Sequence, residues 1–305
     1  SVNFSRIMDY YNIYSDEIDD VIHTGDLVPD YYENGFASLS DIDGFDKVLN
    51  VIGNHDTRKL NSEYTDLRQW SEHAGKDAYD TYFKPYIANW GSASNPIVQP
   101  SDAASAGKCY YYKDYTSKKV RLVVIDNMVM LSTSVNYDPN QITWFTGVLD
   151  DALQNDMTVV VAMHFPNSDV SVDCSFTTFG VNPDSGDWAT AQMGQFFSAV
   201  NTFKQNGGKF ACWFCGHCHS SLLGFPEAYQ DQLIISVGSG IMDGRGSFPR
   251  VGNTKTQDFF HLMGIDTARK IVSVLQVGVE YDAYMRHREC FCYNYDTNQF
   301  IKMSE

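Results

Sequence analysis

VLNVIGNHD, residues Val48–Asp56, sets the apolar side chains of Val48, Leu49, Val51 and Ile52 ahead of a glycine and the polar trio Asn54, His55 and Asp56. An apolar run of this length, stopped abruptly by polar residues, reads as a buried strand that ends in a loop. Three other stretches have the same build. DVIHTGDLV (Asp20–Val28) ends in Gly25-Asp26, TVVVAMHFP (Thr158–Pro166) reaches His164, and KFACWFCGHCH (Lys209–His219) ends in Gly216-His217-Cys218-His219. Polar groups massed where apolar strands stop are what an open α/β sheet offers as a binding site, so fold class and site are read from the same residues.

The segments between these strands supply helices. Phe4, Ile7, Met8, Tyr11 and Ile13 recur at roughly helical spacing, and a second helix is expected around Gly44–Leu49. Gln141–Gln154 reads as a helix, and so does Ala189–Gln205, which closes on Asn206-Gly207-Gly208, a strong stop signal. Cys109–Tyr115 and Lys119–Asp126 read as further strands. The remainder, including Gln232–Gly240, Phe259–Asp266 and Lys270–Tyr284, is β-rich with hairpin-like spacing. Thr57–Lys113 differs in character, with aromatic amphipathic pieces followed by a turn-rich run. It is read as an insertion or cap-like segment at about 57–113 within one domain covering 1–305. Its aromatics, Trp70, Tyr79, Tyr82, Phe83 and Trp90 among them, are read as a small local core.

The chain has 305 residues, 43% of them hydrophobic, enough for a large core. Its formal charge of -16 argues against a surface that neutralises a nucleic-acid backbone or anionic lipid. Long nucleic acid and membrane are therefore not expected partners. Seven unevenly spaced cysteines do not form the framework of a small secreted domain. With no bilayer-length apolar run and no basic-then-apolar start, a cytoplasmic setting is expected.

Asp26, Asn54, Asp56, His164, His217 and His219 carry the oxygen and imidazole donors that divalent metals take, and glycine before the donor lets the backbone turn sharply toward a cleft. In this order the motifs resemble those of the calcineurin-like metallophosphoesterase superfamily: D-x-H, G-D, G-N-H-D/E, H and G-H-x-H. All but the first are present, and the pattern spans nearly the whole chain. Leu122–Asp126 before a helix containing Trp144-Phe145, and His164-Phe165-Pro166 where relatives show His-His-Pro, fit as well.

The resemblance implies an α/β fold, a four-layer αββα sandwich of two mixed sheets flanked by helices, here without the family's first strand. It implies hydrolysis of a phosphomonoester or phosphodiester by dimetal-activated water, with no covalent enzyme intermediate. Two divalent ions (Mn, Fe or Zn) belong to the complete family site. By that likeness Asp26 bridges both, Asn54, His164 and His217 complete the second, and His219 binds the first. His55 is the implied catalytic residue at the leaving oxygen, with Asp56 an orienting carboxylate. A small phosphoester is the expected substrate.

Residues 1–24 do not spell D-x-H, and Asp9 falls within the amphipathic helix. The natural protein is therefore expected to begin earlier, with a strand that carries the motif. The rival reading is a single-metal or catalytically silent binding module that keeps the fold.

Other candidates have plainer readings. Cys212, Cys215 and Cys218 could form a zinc knuckle, but Cys212 and Cys215 fall in an apolar strand and are read as buried thiols. His23, His73, His261 and His287 are read as packed or surface histidines, with His23 set apart by sharing a strand with Asp26. Asp243 and Arg245 follow an apolar strand and could approach a phosphate. Arg286 and Arg288 are read as solvated.

Overall fold

The computed structural model describes residues 2–26, 48–53, 56, 96–103, 108–127, 139–164, 187–216, 222–226, 228–237, 259–278 and 290–301. They belong to two compact units. One comprises Ser1–Lys113, Val123–Gln141 and Ala162–Phe165, and the other Asp114–Leu122, Ile142–Val161 and Pro166–Glu305.

The first unit opens with helix α1 (Val2–Ile13). Met8 and Tyr11, three residues apart on one face, are buried, whereas Asp9 and Ile13 point outward. Met8 and Tyr11 cluster with Val48, and Ile18 and Val21 pack against them. Strand β1 (Val21–His23) runs parallel to β2 (Val48–Asn50), pairing Val21 with Val48, Ile22 with Leu49 and His23 with Asn50. One further bond, from Val51 N–H to the His23 carbonyl at 2.9 Å, extends the pairing. Leu49, expected to end a helix, sits mid-strand in β2. Val48, Leu49 and Asn50 are all buried, as a strand of a parallel pair covered on both faces requires. Residues 44–47 lie outside the described residues.

Strands β3 (Tyr111–Tyr115), β4 (Val120–Val124), β5 (Thr158–Ala162), β6 (Lys209–Cys215), β7 (Leu222–Gly224) and β8 (Ile234–Ser236) form a six-stranded sheet in the order β3-β4-β5-β6-β8-β7. Helix α2 (Pro139–Gln154) lies between β4 and β5 in the chain, and α3 (Asp187–Gln205) between β5 and β6. The sheet is mixed, with β8 parallel to β6 and antiparallel to β7. Strands β4 and β5 are buried at every position, and the one charged side chain between them, Arg121 of β4, is paired with Asp114 at 2.7 Å.

In the second unit, Met193, Phe196, Phe197, Val200 and Phe203 form the buried stripe of α3, and α3 packs on β6. Trp213 of β6 meets Phe197 edge-on at 5.0 Å and stacks on Phe145 of α2 at 6.3 Å between ring centroids. The polar ends of this packing are matched too. Trp213 Nε1–H donates to Gln232 Oε1 at 3.1 Å, and Gln232 Nε2 donates to the Phe197 carbonyl at 2.8 Å. Helix α3 ends as its glycines dictate: Gly207 adopts φ +91°, and the Gly208 amide reaches back to the Phe203 carbonyl at 2.9 Å. The antiparallel sheet β9 (Phe259–Asp266), β10 (Ile271–Gly278), β11 (Cys290–Asn294) and β12 (Gln299–Ile301) is ordered β12-β11-β10-β9, and β10 packs on β6. Cys212 and Cys215 are buried in β6, and burial pushes the Cys212 thiol far above its ordinary pKa, so it stays protonated. Cys218 lies outside the described residues.

Helices and a mixed sheet thus give the expected α/β class. Among the described residues no helix is long and apolar enough to cross a membrane.

Candidate functional site

The parallel pairing of β1 and β2 decides where the polar motifs go. Parallel strands end on the same side, so Thr24-Gly25-Asp26 and Gly53 leave the sheet together. Asp56 lies 30 positions after Asp26, yet its Oδ2 accepts the Asp26 amide hydrogen at 3.0 Å. The same oxygen accepts the Gly53 amide hydrogen at 2.8 Å. Asp56 is buried, and its carboxylate pins one loop to the other.

This clamp holds an unusual turn. Gly25 has φ +96° and Asp26 has φ +57°, consecutive residues in the left-handed region. Glycine takes that conformation freely, while aspartate does so at a cost of about 1 kcal/mol, offset here by its bond to Asp56. Glycine is demanded by space as well. A Cβ on Gly25 would collide with the His164 ring, and one on Gly53 would collide with the backbone nitrogen and carboxylate of Asp26. The two glycines of the G-D and G-N-H-D motifs are thus small because His164 and Asp26 occupy the space beside them.

His164 follows β5 and is fully buried. Its Nδ1 lies 2.7 Å from the Thr24 carbonyl and its Nε2 lies 3.3 Å from Asp26 Oδ2. A carbonyl only accepts, so Nδ1 carries the proton and donates it to Thr24. Nε2 is left facing a carboxylate. Burial works against a charge on this ring, but the Asp26 charge and hydrogen bond, the Thr24 carbonyl and the Asp56 charge outweigh it and raise its pKa. Two electron-rich atoms meet at this short range only with a positive charge between them, either a proton on Nε2 or a cation shared by both residues.

Backbone bonds hold His164 from the other side. Its amide donates to Asn127 Oδ1 at 3.0 Å, and Asn127 is buried. Just upstream, Gln141 of α2 accepts the Asp126 amide hydrogen at 2.7 Å and donates to the Asp126 carbonyl at 2.9 Å. His23, at the end of β1, completes the neighbourhood. Burial drives its pKa down to about 4; Asp26 raises it and His164 lowers it, and the net result is a neutral ring at pH 7.

Of the residues expected in the site, Asp26, Asp56 and His164 come together, while Asn54, His55, His217 and His219 lie outside the described residues. So do His73, His287, Asp243, Arg245, Arg286, Arg288 and the five aromatics named in the 57–113 segment. Among the described residues no group of three or more His, Cys, Asp or Glu side chains is arranged to hold a metal ion. The donor chemistry nevertheless fits one. A carboxylate and an imidazole face each other, and the imidazole's second nitrogen is anchored on a carbonyl, as metal-ligating histidines are. Asn127 and Gln141 carry no motif. Asn127 could have been found by the rule that located the rest, since it directly follows the apolar strand Leu122–Asp126.

The family model described as calcineurin-like phosphoesterase matches residues 2–221. No curated protein matches the chain. Among solved structures, a dimetal phosphatase from Danio rerio is similar at 13% identity and a TM-score of 0.50, covering 91% of this chain and 88% of that one. At that identity the likeness is one of fold. A candidate 5′-nucleotidase from Staphylococcus aureus has 9% identity and a TM-score of 0.41, with 94% of this chain and 47% of that chain covered. A phosphopantetheinyl hydrolase from Mycobacterium tuberculosis has 14% identity and a TM-score of 0.29, with 71% and 78% covered.

Proposed function

Because the chain belongs to the calcineurin-like phosphoesterase family, which uses divalent metals, we propose that it hydrolyses a small phosphomonoester or phosphodiester. Asp26, Asn54, His164, His217 and His219 would hold the metal ions, two in the complete site, drawn from Mn, Fe or Zn. Bound there, such ions supply Lewis-acid charge that acidifies water and neutralises phosphoryl oxygens.

The observation that carries this reading is the facing pair of Asp26 Oδ2 and His164 Nε2 at 3.3 Å. The chain's own residues have separable tasks around it. Asp56 fixes the Asp26 loop by taking two amide hydrogens, and Thr24 holds the Nδ1 proton of His164 so that Nε2 is turned to Asp26. His55, which precedes Asp56, would stand near the leaving oxygen and give it a proton. A small substrate is favoured because the charge of -16 repels extended polyanions, and only a phosphate bound at the metals has its own charge neutralised. A reducing, cytoplasmic setting belongs to the same proposal, since the described cysteines Cys109, Cys212, Cys215, Cys290 and Cys292 carry no disulfide.

The test is hydrolysis of p-nitrophenyl phosphate and bis-p-nitrophenyl phosphate with and without added Mn²⁺. Turnover that needs the metal and disappears with EDTA supports the proposal. Mn²⁺ binding without turnover of either ester, or of a panel of nucleotides and sugar phosphates, would leave a phosphate-binding module in its place.

A further inference from the structure

The bonds around His164 assign a task to a residue outside every recognised motif, and we infer that Asn127 is a positioning residue that sets the His164 imidazole against Asp26. The inference rests on the metal-dependent reading of the site given above.

A backbone rung just beyond β4 runs from the Ile125 amide to the Ala162 carbonyl at 3.0 Å. Beyond it the Asn127 side chain substitutes for a strand partner, accepting the His164 amide hydrogen at 3.0 Å. Both residues are essentially buried, at 1% and 0% exposure, so water does not replace the bond if it is lost. Asn127 is itself held in place. The Gln141 side chain grips both the amide and the carbonyl of Asp126, the residue immediately before it. Gln141 is equally buried, at 1% exposure. The chain of contacts therefore runs Gln141, Asp126, Asn127, His164, Asp26, with a hydrogen bond, a peptide link or a charge contact at each step.

Each link fixes a degree of freedom that His164 otherwise has. The Thr24 carbonyl fixes which nitrogen carries the proton and how the ring is rotated, while Asn127 fixes the backbone from which the ring projects. Outer partners of this kind, when removed from metal-binding histidines, weaken metal binding or activity by about 10–100-fold. The role belongs to the amide oxygen of Asn127. A residue of similar size that lacks an acceptor should fail, and one that keeps the oxygen should succeed.

The experiment compares the full-length protein with Asn127→Leu and Asn127→Asp, titrating each with Mn²⁺ alone by calorimetry beside thermal melts and phosphodiester turnover. Asn127→Leu is expected to weaken Mn²⁺ binding by about 10-fold or more, and Asn127→Asp to stay within about 3-fold of the parent. Unchanged Mn²⁺ affinity in a folded Asn127→Leu overturns the inference, as does equal loss in both variants. A parent that neither binds Mn²⁺ nor hydrolyses phosphoesters overturns the functional reading instead. Where Asn127→Leu does not fold, or the parent binds no metal, the metal-free parent decides. A scalar coupling across the hydrogen bond, from the His164 amide nitrogen to the Asn127 side-chain carbonyl in deuterated protein, is expected, and its absence overturns the inference.

Discussion

Asp56 Oδ2 accepts the amide hydrogen of Asp26 at 3.0 Å across 30 positions of sequence, so the residue proposed to bridge the metals is held by a carboxylate from the next motif. Asp56→Ala removes this bond and the one from Gly53, leaving one half-buried and one buried donor without that acceptor. The loss of stability expected in urea unfolding is roughly 3 kcal/mol, since hydrogen bonds to charged groups contribute about 1.5–3 kcal/mol each and the two share one oxygen. Asp56→Asn keeps an acceptor and should lose less. Equal stability of the parent and Asp56→Ala would show that the clamp does not hold the loops.

Gly53→Ala places a methyl group against the backbone nitrogen of Asp26, which cannot move aside as the end of a flexible side chain can. The Asp26 loop must shift instead. Mn²⁺-dependent turnover is expected to fall by more than about 10-fold, because misplacing a ligand by an ångström carries a penalty of that order or greater. Turnover at the parent level would mean that the loops are not packed this closely.

Asp26→Asn preserves shape and removes the charge that faces His164 Nε2. Mn²⁺ binding by calorimetry is expected to be lost together with hydrolysis, while the protein stays folded. His55→Ala, in contrast, should slow turnover by about 10²-fold or more with Mn²⁺ still bound, as fits a proton donor that is not a ligand. A fully active Asp26→Asn enzyme, or a His55→Ala enzyme that loses its metal, contradicts these roles.

His261 lies on β9, opposite Gln276 of β10, and burial drives its pKa down to about 4. Its folded-state pKa is below the ordinary value of 6.5, so the unfolded chain takes up the proton first as pH falls. The stability contributed by the neutral half-buried ring is complete above pH 6.5 and drains away between about 6.5 and 4, by up to about 1.4 kcal/mol per pH unit. Unfolding free energies measured across that window should fall less steeply in His261→Gln. Identical slopes would remove His261 from the account.

The sequence made the strand ends legible because each apolar run stops at a ligating side chain. Asp26 and His164, 138 positions apart, are assignable to one site from the sequence alone. What hid was the support. Leu49 falls both in the span expected to be helical and in the apolar run from Val48, and its pairing with Ile22 places it in β2, a long-range contact that no local window contains. Asp56 was legible as an orienting group but not as the receiver of two amides, because that depends on β1 and β2 being parallel and in register. Gln141 was silent for a similar reason, as was the role of Asn127, whose place after an apolar strand was its one signal. A buried side-chain amide that stands in for a strand partner leaves no spacing or periodicity behind it. The α3 stop was the opposite case, since Gly207-Gly208 encodes its helix end locally.

The central claim is that Asp26, Asn54, His164, His217 and His219 converge on divalent cations. Crystals grown with Mn²⁺ and measured for anomalous scattering test it directly. The account predicts Mn²⁺ peaks contacted by Asp26 and His164, with Asn54, His217 and His219 among the remaining ligands. A map without such peaks beside Asp26 and His164, or with Mn²⁺ bound only by other residues, would contradict it.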